Sequence, residues 1–398
     1  MLTVDEALAR LLEGLRETDS ERVQLADALG RVPATPALVA ALDVPPFANS
    51  AMDGFALRFA DGDAPRQVVG ESRAGGPPAP SVEAGSAVRI MTGAPVPDGA
   101  DTIVPIEDAS ERNGVVNVVA APSLGMHVRA AGLDVRRGDA VPLPRVPLTP
   151  STIGLLGAMG HADLDVRRRP HVAILSTGDE LRDVGASLGY GQIYDANAPA
   201  LAAAVSEAGG LPMILERAPD EPDAIEAALR SAVESADLLI ASGGVSVGEH
   251  DHVRGVIQGL GSLDFWRIAV QPGKPLAFGR IGEVPVVGLP GNPVSALVTF
   301  ELFVRPMLRA MLCLSGDGRI RVTARISEAI GKDPDRRAYL RVRVDRAAEG
   351  YRATSAGGQG SVQLLPLASG NALLVVPEGV PATEPGAAYE AILLGGIA

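Results

Sequence analysis

Two similar stretches decide the fold of this chain: HVAILSTGDE at 171–180 and LLIASGGVSVGEHD at 238–251. Each begins with a short continuous apolar run, as expected of a strand buried on both faces, and then becomes abruptly polar. Helical patterns alternate with further apolar runs over the next 130 or so residues, with helices at 198–208, 222–235, 251–259 and 293–312 and strands at 211–215, 263–270 and 285–287. This alternation predicts a doubly wound parallel sheet with helices on both faces, an α/β domain.

The segments on either side of this region have a different pattern. A capping box at Thr3 to Glu6 opens a predicted helix at 4–16. Short Val- and Ile-rich runs, separated by Gly, Pro and Asp clusters, predict small β units between 41 and 150, and strand patterns return at 319–326, 339–344, 351–353 and 373–376. The fold class is therefore α/β plus β, with several β-rich modules around one doubly wound domain.

Composition excludes several classes of protein. The chain has 398 residues, enough for two to four domains, and its formal net charge of −13 argues against a partner that is a nucleic acid. A single cysteine cannot form an intramolecular disulfide. The most apolar stretch, 284–304, is interrupted by prolines and glycines and is not a membrane helix. We therefore expect a soluble cytoplasmic protein with no membrane partner.

The loops after the strands are the candidate site, because ligands of open parallel sheets bind beyond the carboxyl ends of the strands. All five are polar or glycine-rich, at 176–180, 219–220, 242–251, 271–275 and 288–293. The three glycines and two serines of 242–248 suit a phosphate, which backbone N–H groups and hydroxyls can bind. Lys274, one of only two lysines, lies between two prolines and suits the same anion. Asp220 and Asp251 each precede a helix, so they are either site carboxylates or helix N-caps.

Other templates fit these loops less well. GVSVG at 244–248 matches a hydrolase nucleophile elbow, but no histidine lies beyond 252 to complete a triad. Neither a P-loop nor a dinucleotide-binding glycine motif follows any strand. The HDH sequence at 250–252 leaves a transition-metal site open. Magnesium on Asp251 and Glu180 with substrate phosphates is favoured, because this ion prefers few carboxylates together with phosphate oxygens.

Taken together, the motifs resemble the molybdopterin molybdenumtransferase family (MoeA-type), to which the gephyrin E domain is related. They occur in the order of the family and cover essentially the whole chain. The matching segments are PPF at 45–47, SAMDG at 50–54, RIMTGAP at 89–95, STGDEL at 176–181, SGGVSVGEHD at 242–251, PGKP at 272–275 and GLPGNPVS at 288–295.

The resemblance implies insertion of molybdenum from molybdate into the dithiolene of adenylylated molybdopterin, with release of AMP and with Mg²⁺ as the divalent cation. It implies an elongated homodimer whose sites are shared between subunits, and transient contact with the adenylyltransferase and with molybdoenzymes. On this pattern the α/β domain is MogA/MoaB-like. The chain divides into an N-terminal helical and linker domain (1–44 and 138–168), a small β-rich domain (45–137), the α/β molybdopterin-binding domain (169–315) and a C-terminal β domain (316–398).

The resemblance also implies roles for single residues. Asp53 and Thr92, in turns that could otherwise be plain turns, would come from the partner subunit, and Glu180 and Asp251 would hold the metal. The expected catalytic residues are Asp53, Thr92, Glu180, Asp220, Asp251 and Lys274. The expected substrate-binding residues are Ser176, Thr177, Gly178, Asp179, Ser242, Gly243, Gly244, Ser246, Pro272, Gly273, Pro275, Pro290, Gly291, Asn292, Pro293 and Ser295.

Two segments depart from the family pattern. Gln271 stands where several relatives carry a lysine, so that one anion contact is either missing or supplied by an arginine. The stretch 335–341 only approximates the Gly-Arg-x-x-Phe-x-Arg pattern of the C-terminal domain. Two other functions stay open, a binding scaffold without catalysis and a molybdopterin adenylyltransferase. Intact loop carboxylates argue against the scaffold, and the additional β domains argue against the adenylyltransferase.

Overall fold

The computed structural model describes residues 1–216, 221–243 and 252–397. The chain forms two compact units, which we call the insert unit (Glu21–Val166) and the main unit (Met1–Ser20 with Arg167–Ala398). The predicted division into four domains stays a prediction.

The main unit begins with helix α1 (Val4–Leu12). The predicted capping box is present, because the Thr3 hydroxyl accepts from the Glu6 N–H at 3.1 Å and the Glu6 carboxylate accepts from the Thr3 N–H at 2.8 Å. The helix ends at Leu12 rather than at 16, since Glu13 already has extended backbone. Val4, Ala7 and Leu11 are buried in the core of the main unit.

The insert unit contains a six-stranded sheet in the order β7-β4-β6-β5-β9-β8, and three two-stranded pairs, β1 with β12, β2 with β11 and β3 with β10. Helix α2 (Pro150–Ala158) begins at the last proline of a proline-rich connector. Short 3₁₀ turns lie at Leu25–Asp27, Phe59–Asp61 and Ile106–Asp108. The strands are β1 (Ser20–Gln24), β2 (Ala37–Val39), β3 (Asn49–Ser50), β4 (Gly54–Leu57), β5 (Arg66–Ser72), β6 (Ser86–Ile90), β7 (Thr102–Pro105), β8 (Ala109–Arg112), β9 (Val115–Val118), β10 (Val128–Arg129), β11 (Ala140–Pro142) and β12 (Asp163–Arg167).

The central sheet of the main unit has the order β16-β13-β17-β21-β20-β18. Its strands and the short ones beside it are β13 (His171–Ser176), β14 (Leu181–Arg182), β15 (Ile193–Tyr194), β16 (Leu211–Ile214), β17 (Leu238–Ser242), β18 (Ser262–Arg267), β19 (Val270–Gln271), β20 (Pro275–Ile281) and β21 (Val284–Leu289). Its helices are α3 (Asn197–Glu207), α4 (Pro222–Val233), α5 (His252–Leu260), α6 (Pro293–Thr299) and α7 (Arg305–Met311).

Helices cover both faces of this sheet. Val172 and Ile174 of β13 pack in the same core as Leu201 of α3, whereas Ala173 and Leu175 pack in the core that contains residues of α4 and α5. Because successive side chains of a strand point to opposite faces, the continuous apolar runs of the sequence fill both cores. The predicted doubly wound α/β domain is confirmed.

One strand of this otherwise parallel sheet runs in the opposite direction. Strand β20 was not predicted, and it runs antiparallel between β21 and β18. A two-residue turn at Gly282 and Glu283 joins it to β21 as a hairpin. Since β18 is antiparallel to β20, it points the same way as β21, and its carboxyl end stays at the common edge. The predicted strand 263–270 also ends early, because Val270 and Gln271 pair with a different sheet.

The predicted helix 293–312 is interrupted by a π-helical segment, Phe300–Val304, between α6 and α7. The remaining elements are β22 (Arg321–Ile326), β23 (Arg337–Ala347), β24 (Gly350–Ser355), helix α8 (Leu364–Ser369), β25 (Ala372–Val376) and β26 (Ala388–Leu393). The five strands close into a ring, since β25 pairs with both β26 and β23. Strand β19 joins the edge of β23 and brings Gln271 beside Ala338.

Candidate functional site

A cleft of about 1120 Å³ opens at the carboxyl edge of the central sheet. Its volume is slightly above the range that is usual for small-molecule sites, roughly 300–1,000 Å³. The loops after β13, β17 and β21 and the connection from β18 to β20 line it. The predicted residues among its lining are Thr177, Gly178, Asp179, Glu180, Ser242, Gly243, Pro272, Gly273, Lys274, Pro275, Pro290, Gly291, Asn292, Pro293 and Ser295.

Of the other predicted residues of the main unit, the structure describes only Ser176. Ser176 is the last residue of β13 and only 6% exposed. Its hydroxyl and that of Thr177 are buried and have no hydrogen-bond partner within the described ranges. Asp220, Gly244, Ser246 and Asp251 lie outside the residues that the structure describes, and so does most of the predicted phosphate loop.

Two glycines of the cleft occupy backbone positions that a side chain would obstruct. Gly243 has φ +80°, and a Cβ there would lie 2.6 Å from the Thr177 carbonyl oxygen. Gly273 has φ +108°, and a Cβ there would lie 2.4 Å from Cγ2 of Thr299 on α6. Both loops therefore depend on glycine to pass close to their neighbours.

Asn197, which the sequence did not single out, connects three parts of the cleft wall. Its side-chain N–H₂ donates to the Ser242 hydroxyl at 2.9 Å and to the Gly291 carbonyl at 2.8 Å. Asp195 accepts from the backbone N–H groups of Asn197 and Ala198, both at 3.0 Å. The start of α3 is thereby attached to the ends of β17 and β21.

A second wall comes from residues far along the chain. Asp333, Arg336, Gln359, Ser361 and Val362 all line the cleft. The Asp333 N–H donates to the Gln271 side-chain carbonyl at 3.0 Å, and the Asn292 side chain donates to the Ser361 hydroxyl at 2.9 Å. The stretch 335–341, which contains Arg336, approximates a family pattern, and the glycine-rich run 357–361 is a further sequence signal that could have pointed to this wall.

Arg336 bears on the open question about Gln271. Its Nε donates to the Asp333 carboxylate at 2.6 Å. The pKa of Asp333 is lowered by the N–H of Asp335, then by this bond from Arg336, and also by the charge of Lys274. The cleft lining therefore contains an arginine as well as Lys274, although position 271 carries no charge.

The two lysines have different environments. Lys274 is exposed in the cleft. Lys332 is 9% exposed, and its ammonium donates to the carbonyls of Asp333 at 3.0 Å and Arg336 at 2.6 Å. Burial lowers the pKa of Lys332. Lys332 thus stabilises the turn that carries Arg336, and Lys274 is the lysine that can meet a ligand.

A buried arginine supports the C-terminal wall. Arg341 is 1% exposed, and its guanidinium donates to the carbonyls of Gly358 at 3.2 Å and Gly360 at 3.1 Å. The side chain of Gln359 in turn bonds to both backbone polar groups of Arg341, accepting at 2.9 Å and donating at 3.0 Å. Burial lowers the pKa of Arg341. These bonds hold the loop that presents Ser361.

Asp53 and Thr92 lie in the insert unit and contact each other. The N–H of Thr92 donates to the Asp53 carboxylate at 2.6 Å, and the Thr92 hydroxyl donates to the same oxygen at 2.8 Å. These two bonds, the N–H bond first, lower the pKa of Asp53. Both residues are exposed, so the pair presents an ionised carboxylate and a hydroxyl at the surface of the unit.

Two further observations limit other classes of site. Within the described ranges, no group of three or more His, Cys, Asp or Glu side chains is placed to hold a metal ion. None of the helices in those ranges is both long enough and apolar enough to cross a membrane.

Comparison with known proteins agrees with this fold and cleft. Three family models match consecutive parts of the chain: the MoeA N-terminal region (domain I and II) at 2–160, the probable molybdopterin binding domain at 173–310 and the MoeA C-terminal region (domain IV) at 323–394. Together with the architecture, they define the class as proteins of molybdenum cofactor biosynthesis.

Relatives and a solved structure narrow this class. The molybdopterin molybdenumtransferase of Haemophilus influenzae is 40% identical over 312 residues, 77% of each chain, and that of Bacillus subtilis is 32% identical over 405 residues, 99% of this chain and 94% of its own. The crystal structure of the molybdopterin biosynthesis MoeA protein from Pyrococcus horikoshii superimposes with a TM-score of 0.84 at 31% identity, covering 100% of both chains. The chain belongs to the molybdopterin molybdenumtransferase family, and the resemblance noted in its sequence is confirmed. Its members named here are transferase enzymes.

Proposed function

We propose that this enzyme inserts molybdenum from molybdate into the dithiolene of adenylylated molybdopterin and releases AMP. The observation that carries the proposal is the cleft itself, where glycine-rich backbone, Lys274 and Arg336 meet on the fold of the family. Backbone N–H groups and cations are the groups that bind phosphate and other oxyanions. The net charge of −13 belongs to the whole chain, whereas Lys274 and Arg336 line the cleft itself.

The residues of the chain would act by binding and orienting. Lys274 and the 242–243 backbone would hold anionic oxygens of the substrates. The second wall, which includes Arg336 and Ser361, would contact another part of the same substrates. The dithiolene sulfurs themselves bind molybdenum, so no protein nucleophile is needed. Asp220 is proposed to assist from the loop after β16.

Magnesium is proposed as the divalent cation. Glu180 is an exposed carboxylate at the cleft, and Mg²⁺ favours one or two carboxylates together with substrate phosphate oxygens, so the donor present fits. Glu180 and Asp251 would hold the ion. When bound, it supplies Lewis-acid stabilisation of charge at the phosphoanhydride.

A homodimer with shared sites is also proposed. The hydrogen-bonded pair of Asp53 and Thr92 would complete the cleft of the other subunit. Its exposure and its preformed geometry support this role, since an ionised carboxylate held by two donors is already oriented for a ligand. Transient contacts with the adenylyltransferase and molybdoenzymes, and a cytoplasmic location, stay predictions.

The reaction can be tested with purified protein, adenylyl-molybdopterin, molybdate and Mg²⁺, by measuring AMP and loaded cofactor. We expect both products, and we expect Lys274→Ala to lower kcat/KM by about tenfold or more, the loss of one charge-assisted hydrogen bond. Arg16→Ala is the matched control, because Arg16 lies outside the cleft lining and forms an exposed ion pair with Glu283 among the residues that the structure describes.

Two results would contradict the proposal. Formation of adenylyl-molybdopterin from ATP and molybdopterin, without its consumption, would indicate the adenylyltransferase. Tight binding of adenylyl-molybdopterin with neither AMP nor loaded cofactor formed would indicate the scaffold.

A further inference from the structure

The two loops that follow the adjacent strands β17 and β21 meet at one side chain. Asn197 donates one hydrogen bond to the Ser242 hydroxyl at 2.9 Å and another to the Gly291 carbonyl at 2.8 Å. The two strands are paired up to Ser242 and Leu289, so both bonds are made where the sheet ladder ends. At this end of the ladder the Asn197 side chain connects the two segments, through the Ser242 hydroxyl on one side and the Gly291 carbonyl on the other.

The orientation of the Asn197 amide follows from its partners. The Gly291 carbonyl can only accept, so the group 2.8 Å from it must be the N–H₂ and not the side-chain oxygen. The same nitrogen gives its second proton to Ser242. Both donors are used, and a side chain without an N–H₂ group cannot reproduce the arrangement.

The backbone that carries Asn197 is itself held in place. Asp195 accepts from the N–H groups of Asn197 and Ala198, which satisfies two of the free donors at the start of α3. The Asp195 N–H donates to the Arg182 carbonyl at 2.9 Å, which connects the same segment to the strand after the 176–180 loop. The segment 195–198 therefore connects three of the loops at the sheet edge.

We propose that Asn197 is a positioning residue, which sets the separation between the 242–243 loop and the 290–293 loop. It acts through these loops rather than by chemistry on the substrate. The existence of this bridge does not depend on the reaction, and only the choice of AMP as a probe rests on the proposed function.

The test uses the full-length protein with Asn197→Ala and Asn197→Asp. The aspartate has nearly the same shape but no N–H₂, so it separates the hydrogen bonds from packing. We expect both variants to show faster amide hydrogen exchange in peptides that cover 286–298. We also expect both to bind AMP about tenfold more weakly, the loss of roughly one net hydrogen bond.

Asn371→Ala is the matched control. The Asn371 amide likewise donates two hydrogen bonds, to the carbonyls of Val344 at 2.9 Å and Gly396 at 3.1 Å, but in the C-terminal sheet. We expect it to lower Tm while leaving the exchange of 286–298 and the affinity for AMP unchanged.

Unchanged exchange at 286–298 in both Asn197 variants would overturn the inference. So would normal exchange and affinity in Asn197→Asp with loss only in Asn197→Ala, because packing alone would then account for the effect. If the wild-type protein binds no AMP, the proposed product is wrong, and the exchange measurement alone decides the role of Asn197.

Discussion

At the scale of single residues, the contact between Asp53 and Thr92 joins two turns that are 39 positions apart in sequence. The sequence identified each turn only as a candidate, and their resemblance to family motifs selected the two residues. The hydrogen bonds show how one residue acts on the other: the N–H and the hydroxyl of Thr92 lower the pKa of Asp53 and so favour its ionised form.

Replacing Thr92 by valine tests this contact. The change removes the hydroxyl donor but keeps the N–H donor, so the pKa of Asp53 should rise by less than the full shift, since the N–H bond is its larger cause. A carboxyl whose pKa is lower in the folded protein stabilises the folded state at pH values above its pKa in the unfolded chain, near 3.8. This stabilisation is lost as the pH falls through the pKa of the folded protein. The acid limb of unfolding should therefore begin at a slightly higher pH in Thr92→Val.

The measurement is an NMR titration of the Asp53 carboxyl carbon, assigned with the Asp53→Asn variant. An identical pKa in Thr92→Val and wild-type protein would show that the hydroxyl does not contribute. A return of the Asp53 pKa to its ordinary value in Thr92→Val would show that the N–H bond does not contribute to the shift.

At the scale of elements, the cleft depends on the close approach of the 271–275 loop to helix α6. Gly273 faces Thr299, which is fully buried and donates to the Ser295 carbonyl at 2.6 Å, so Thr299 cannot move aside easily. The loop and the helix are therefore fitted to each other at this point.

The variant Gly273→Ala should destabilise the protein more than Gly282→Ala. Both glycines have positive φ, at +108° and +58°, and either alanine should cost roughly 1 kcal/mol or more for that backbone alone. Only the alanine at 273 also meets an atom, since a Cβ at 282 has open space. Urea unfolding gives the free energy of unfolding of each variant. Equal losses of stability in the two variants would mean that the 271–275 loop shifts to accept the Cβ with no loss of stability.

Elements also show the limits of prediction from sequence. The helices and most strands of the central sheet follow from apolar periodicity, and their bounds are correct to within a few residues. Strand β20 was missed because its sequence, PLAFGRI at 275–281, contains a proline, a glycine and an arginine that interrupt the apolar run. The π-helical segment also leaves the apolar pattern of 293–312 intact, so the sequence predicts one continuous helix there.

At the scale of the whole molecule, the proposed sharing of sites can be tested by complementation. A heterodimer of an Asp53→Ala chain and a Lys274→Ala chain, isolated through two different tags, would contain one intact site and one doubly altered site. We expect it to recover about half of the wild-type activity, because in a two-fold dimer each site takes one contribution from each chain.

The two variant homodimers serve as controls and should both be clearly less active than the heterodimer, with kcat/KM lowered by about tenfold or more for Lys274→Ala. An isolated heterodimer with no recovered activity would mean that Asp53 and Lys274 act within one subunit. Monomers in solution at assay concentration would contradict the shared site directly.

For this protein the sequence alone determined the class of the central sheet, the loops at its carboxyl edge and the glycine and lysine positions within them. These are local properties, because apolar periodicity, turn residues and short motifs can each be recognised within a short stretch of sequence. Only the tertiary structure decided that Asn197 joins the ends of β17 and β21, and that Arg336, Gln359 and Ser361 form the opposite wall. The two hydrogen bonds of Asn197 connect residues that are 45 and 94 positions apart, and partners at such distances are chosen by how sheets and helices pack, which no local pattern encodes.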